Sequence, residues 1–126
     1  MKTILFFTAL IILIVFLGFN LRGSVLNEDE AIDAIVGEAS NQSYDTMICV
    51  AQALHHRGTL KGVYGLHASH NAFENKDVRD AAEDAWNESL AEKDTVNGAK
   101  NWGTLGDLKK LHVKQYKVKC GDLYFY

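Results

Sequence analysis

No proline interrupts the chain, only two cysteines occur, and there is neither a low-complexity tract nor an internal repeat. The first absence excludes a proline-rich linker and the last excludes a repeat array. Two thiols cannot supply a multi-bridge disulfide scaffold or a thiolate-only zinc site. An excess of positive charge is missing as well. The formal charge of −3 includes Lys2 and Arg22; without them 11 basic residues (13 less two) face 16 acidic ones, a balance of −5. That balance argues against a nucleic-acid partner. With 48% hydrophobic residues the composition is that of a globular protein, so disorder is not the reading.

Charge is most completely absent near the start. After Lys2, residues 3–19 (TILFFTALIILIVFLGF) carry two hydroxyls and no ionisable group. These 17 residues would make a helix of about 25 Å, just short of a hydrocarbon core of about 30 Å. The run has no polar face, which argues against the alternative of a buried core helix. It is longer than the apolar centre usual in a secretory signal, and no pair of small residues near positions 18–24 marks a cleavage site. Residues 1–24 are therefore expected to form an N-terminal apolar membrane helix, either an uncleaved signal-anchor or a cleaved signal peptide. Lys2 would keep the N-terminus cytoplasmic and send the remainder outward. The expected location is membrane-anchored with the domain extracytoplasmic, or secreted if the leader is removed.

Residues 25–126 are expected to form one domain, since about 100 residues can bury one core but not two. Asn27 followed by Glu28, Asp29 and Glu30 reads as a helix start, with Ile32, Ile35, Val36 and Ala39 as the apolar face. A second helix is expected from Ser43, through Met47, Val50, Ala51 and Leu54, to a stop at Gly58. Residues 58–73 contain three glycines and no clean period, which predicts a surface loop. A third helix, about residues 76–92, would place Val78, Ala82, Ala85, Trp86 and Leu90 on one face. Asn97-Gly98 and Gly103 are turn signals. The remainder reads as β-structure: Leu111 and Val113, then Tyr116, Val118 and Cys120 in a second register, a turn at Gly121-Asp122, and a final strand over residues 123–126. Helices followed by a short antiparallel sheet make the class α+β. Cys49 and Cys120 would face an oxidising compartment after export. They are either a disulfide closing a loop of about 70 residues, worth roughly 2–4 kcal/mol, or two buried thiols.

One acidic residue stands out. Glu38, in Ala34-Ile35-Val36-Gly37-Glu38-Ala39-Ser40, has apolar or small neighbours and sits at the edge of the first helix's apolar face. A partly dehydrated carboxyl group resists ionisation and can donate a proton to a leaving oxygen near neutral pH, the step that breaks a glycosidic bond. A solvent-facing helix carboxylate is the plain alternative.

Several further elements line up with this one. They are Thr46 to Leu54 (TMICVAQAL) ending at Arg57, then Gly62-Val63-Tyr64, then Thr95-Val96-Asn97-Gly98-Ala99 with Trp102 downstream, and the closing Gly121-Asp122-Leu123-Tyr124-Phe125-Tyr126. In order and spacing, together with Gly37-Glu38-Ala39, they resemble the cell-wall hydrolase family of spore cortex-lytic enzymes (SleB-like), which includes phage lysis proteins. The resemblance implies a small lysozyme-like domain that cleaves the peptidoglycan glycan strand between N-acetylmuramic acid and N-acetylglucosamine, with Glu38 as catalytic acid. Two positions depart from the family pattern: His56 stands where an asparagine is usual, and Leu123 where a histidine is usual.

No second acid in a comparably apolar setting is evident, although hydrolysis normally uses two carboxylates. A single acid suffices when the C6 hydroxyl of muramic acid attacks the anomeric carbon and closes a 1,6-anhydro ring. The expectation is therefore a lytic transglycosylase, with muramidase-type hydrolysis second. Tyr64, Asn97, Trp102 and Tyr126 are the candidate sugar-binding residues; core packing or a turn is the alternative for each. Phe125 alternates out of phase and is expected in the core. His55, His56, His67 and His70 raise the rival of a zinc-dependent amidase, but adjacent helical histidines diverge and no matching ligand pair accompanies them, so no metal and no cofactor is expected. A non-catalytic wall-binding protein is the third class. Lys109, Lys110, Lys114, Lys117 and Lys119 form a basic stretch that is either a solvated face or a contact for anionic peptide stems. The expected partners are peptidoglycan and, through the leader, the membrane; a monomer is expected.

Overall fold

The computed structural model describes residues 26–67 and 74–126. Asn27 adopts extended backbone and its side chain accepts from the Glu30 amide at 3.1 Å, starting helix α1 (Glu28–Ala39) with three acids in its positive first turn. Ser43 caps helix α2 (Tyr44–Arg57) in the same way, and Gly58 ends it in the left-handed conformation at φ 69°. A 3₁₀ turn, Tyr64–His67, follows. Asn75 opens helix α3 (Lys76–Ser89), accepting from the amides of Asp77 and Val78. Then come strand β1 (Trp102–Gly103), helix α4 (Leu105–Lys110), strand β2 (Val118–Cys120) and strand β3 (Leu123–Phe125). The three strands form one antiparallel sheet in the order β1-β3-β2, with Trp102 opposite Phe125 and Cys120 opposite Leu123. The class is α+β, helices preceding a small sheet.

The core lies where α1, α2 and α3 meet. Ile35, Val36, Val50, Leu54 and Phe125 are fully buried in it. Each such side chain contributes about 1.5–3 kcal/mol relative to exposure. Gln52 is the polar exception. Buried on α2, it spends both ends of its amide: Nε2 donates to the carbonyls of Lys93 (3.0 Å) and Ser89 (3.4 Å), and Oε1 accepts from the amide and hydroxyl of Thr95. It thus fixes the segment after α3 against α2. Cys49 and Cys120 form a disulfide with Cα atoms 6.6 Å apart, tying α2 to β2 across 71 residues.

Three expectations are corrected. Leu111 and Val113 are not in a strand: residues 105–110 are helical and Leu111 is their exposed C-cap. The cause is a capping box, in which the Thr104 side chain accepts from the Asp107 amide while Asp107 Oδ2 accepts from the Thr104 amide and hydroxyl. The third helix stops at Ser89, and Leu90, expected on its buried face, is 69% exposed. The loop expected over residues 58–73 contains the 3₁₀ turn at Tyr64–His67. The apolar run of residues 3–19 and the boundary near residue 24 lie outside the described residues. Among the described residues no helix is long and apolar enough to cross a membrane.

Candidate active site

The last turn of α1 is shaped by a contact between two backbones. A Cβ placed on Gly37 would stand 1.8 Å from the carbonyl oxygen of Gly65. A Cβ on Gly65 would meet Glu38 Cγ at 2.7 Å and the Ala34 carbonyl oxygen at 2.8 Å. Only glycine at both places lets the 3₁₀ turn press against the helix. A mid-helix glycine costs about 0.5–1 kcal/mol relative to alanine, and this close approach is what the residue makes possible. The result is chemical as well as steric: the Gly65 amide donates to Glu38 Oε1 at 2.9 Å. Glu38 is partly buried, with its carboxylate held in one orientation by the main chain.

Glu38 stands on the wall of a cleft of about 840 Å³. Tyr64, Trp102 and Tyr126, expected as sugar contacts, line the same cleft. Tyr64 is 85% exposed, as a rim platform would be and a core residue would not. Trp102 is partly buried and tilts against Phe125 with ring centroids 6.3 Å apart, so it is part wall and part core. Tyr126 is anchored through its backbone, donating to the Asn101 carbonyl and accepting from the amides of Lys100 and Asn101. Asn97 is not among the lining residues. It occupies a turn at φ 52° and its carbonyl faces Lys117 Nζ at 3.4 Å, so its position follows from turn geometry. Phe125 is fully buried.

Several lining residues carry no obvious signal in the sequence. Arg57, at the end of α2, braces the cleft: Nη1 donates to Asn101 Oδ1 at 2.6 Å and Nη2 to the Lys61 carbonyl at 2.5 Å. Gln42 joins opposite walls, its Oε1 accepting from the Asp122 amide at 3.1 Å and its Nε2 facing Asp122 Oδ2 at 3.4 Å. A second carboxylate, Asp107, also lines the cleft. The Thr104 amide, then the Thr104 hydroxyl, hold its carboxyl below the usual aspartate range. It was legible in principle, because Thr104-Leu105-Gly106-Asp107 has the spacing of a capping box. Leu123, where the resembled family carries a histidine, gives the cleft a buried apolar patch.

His55 and His56 are committed elsewhere. His55 stacks on Trp86 with centroids 3.9 Å apart and its Nε2 lies 3.0 Å from Ser89 Oγ. Because the Ser89 hydroxyl donates to the Trp86 carbonyl at 2.7 Å, it is left to accept from His55. His56, at the position where the family has asparagine, pairs with Asp94 at 3.1 Å. The side chain of His67 and all of His70 lie outside the described residues. Among the described residues no group of three or more His, Cys, Asp and Glu side chains could hold a metal ion. Compared with protein-family models, curated proteins and solved structures, the chain matches none.

Proposed function

We propose that this protein cleaves the glycan strand of peptidoglycan between N-acetylmuramic acid and N-acetylglucosamine, acting as a lytic transglycosylase with Glu38 as proton donor and then acceptor. The observation that carries the reading is one partly buried carboxylate, oriented by the Gly65 amide, on the wall of a cleft that Tyr64, Trp102 and Tyr126 also line. The sequence resemblance to SleB-like cell-wall hydrolases, with their lysozyme-like domain, supports it from a separate direction. In this scheme Glu38 protonates the glycosidic oxygen as the C1–O bond breaks. It then takes the proton of the C6 hydroxyl as that oxygen bonds to C1. The two transfers balance, and no water enters the product.

A second reading, muramidase-type hydrolysis, is favoured by Asp107, an ionised carboxylate in the same cleft that could activate water or stabilise positive charge at C1. Mass spectrometry of the fragments released from purified peptidoglycan separates the two. A 1,6-anhydromuramic end supports the transglycosylase. A reducing muramic end supports hydrolysis, and release of free stem peptides with intact glycan would refute both.

A further inference from the structure

The charges of this molecule are segregated. Of its 16 acidic residues none falls between positions 109 and 119, whereas Lys109, Lys110, Lys114, Lys117 and Lys119 all do. All five are exposed. Lys76 and Arg79, on the acidic helical side, are held in ion pairs with Asp80, Asp29 and Asp33; among the described residues none of the five is in an ion pair. Strand alternation adds a second component. Val118, Cys120, Leu123 and Phe125 turn inward, which leaves Lys119 and Tyr124, cross-strand partners, on the outer face. Lys119 Nζ lies 5.4 Å from the Tyr124 ring centroid, and Tyr116, 52% exposed, meets that ring edge-on at 4.8 Å. Tyr116 and the partly exposed Tyr124 thus lie on a basic surface that no element among the described residues covers. The strip is continuous with the cleft, because Lys110 and Leu111 line both.

We infer that the strip from Lys110 to Lys119, with Tyr116 and Tyr124, is a docking surface for the carboxylate-bearing peptide stems of a peptidoglycan strand whose glycan lies in the cleft. The inference rests on the proposed substrate. Its chemistry is charge complementarity: stems present spaced carboxylates, and a stretch with five lysines and no acid begins at the cleft mouth. Such contacts are exposed and screened by salt, so they add affinity in small increments and set register along the strand.

The test uses the full-length chain as Glu38→Gln, so that binding is read without cleavage. Sedimentation is measured with purified peptidoglycan stripped of phosphate polymers, with the same material after amidation of its stem carboxylates, and with vesicles containing anionic lipid. Lys114→Gln/Lys117→Gln/Lys119→Gln, all outside the cleft, should weaken binding to intact peptidoglycan roughly tenfold at low salt, the sum of three mid-range exposed charge contacts. The matching triple arginine variant should bind like the parent, and amidated peptidoglycan should not distinguish the triple glutamine variant from it. Equal binding of the glutamine variant to intact peptidoglycan overturns the inference. So does an equal loss on amidated material, or a preference for anionic vesicles. If Glu38-competent protein releases glycan fragments while the lysines have no effect, the docking surface is wrong and the cleavage stands. If the lysines matter and no glycan is cut, the reverse holds.

Discussion

Gly37 and Gly65 meet backbone to backbone, and the amide of Gly65 reaches Glu38 because of it. Replacing either glycine by alanine forces the 3₁₀ turn away from α1, since in each case main-chain atoms that cannot swing aside stand within 3 Å of the added Cβ. Gly37→Ala should destabilise by about 1–3 kcal/mol, the usual cost of overpacking, despite the better helix propensity of alanine. Denaturant midpoints check this, and an alanine variant as stable as the parent would refute the contact.

Glu38→Gln keeps an oxygen that can accept the Gly65 amide and loses the acidic carboxyl proton. Glycan cleavage should vanish while stability stays within about 1 kcal/mol of the parent, as for most substitutions that retain their contacts. Turbidity of a wall suspension and a thermal melt, run on the same preparation, read both quantities. Residual clearing by this variant removes Glu38 from the role of acid.

Asp107→Asn tests the second carboxylate without changing side-chain size. It removes charge from the capping box of α4, so a loss of roughly 0.5–2 kcal/mol in stability is expected. The informative readout is the product. A transglycosylase should keep forming anhydro ends with little change in kcat. A hydrolase that depends on an ionised Asp107 should fall by orders of magnitude.

Acid should weaken the fold through His55. Burial lowers its pKa from the ordinary 6.5, an effect that exceeds the opposing pull of the Trp86 carbonyl and is aided by neighbouring His56. A depressed folded-state pKa means the stabilisation is whole above the unfolded value and is lost as pH falls through the folded one. His55→Phe keeps a ring against Trp86 and removes the titration. Its stability should therefore change less than the parent's between pH 7 and pH 5, measured by urea unfolding at each pH.

Reduction of the Cys49–Cys120 bridge frees a loop of 71 residues in the unfolded chain. A loss of about 2–4 kcal/mol is expected, large for a domain of this size. The Cys49→Ser/Cys120→Ser variant should show a lower Tm that no longer responds to dithiothreitol.

Caps and periodicity made the first half of the fold legible. Asn27, Ser43 and Gly58 bound α1 and α2 where local hydrogen bonding dictates, and the apolar spacing of Ile32, Ile35 and Val36 marks the buried face. The second half was less so. Leu111 and Val113 mimic strand alternation, but Thr104 and Asp107 nucleate a helix just upstream, and a strong local cap outweighs two apolar residues. Leu90 keeps the helical period yet lies one residue beyond the point where the chain turns away. For the candidate site, the partial burial of Glu38 could be read from its neighbours because it is a local property of a helix face. The capping-box spacing of Asp107 was legible too, but the places of Arg57, Gln42 and Asp107 in the cleft were not, since they depend on contacts between segments far apart in sequence. Cysteine separation likewise carries no information about whether two Cβ atoms meet.

The bridge from Gln42 to Asp122 spans 80 residues and joins walls built from opposite ends of the domain. The cleft that Glu38 lines is complete only once residues 122–126 have folded against Gln42.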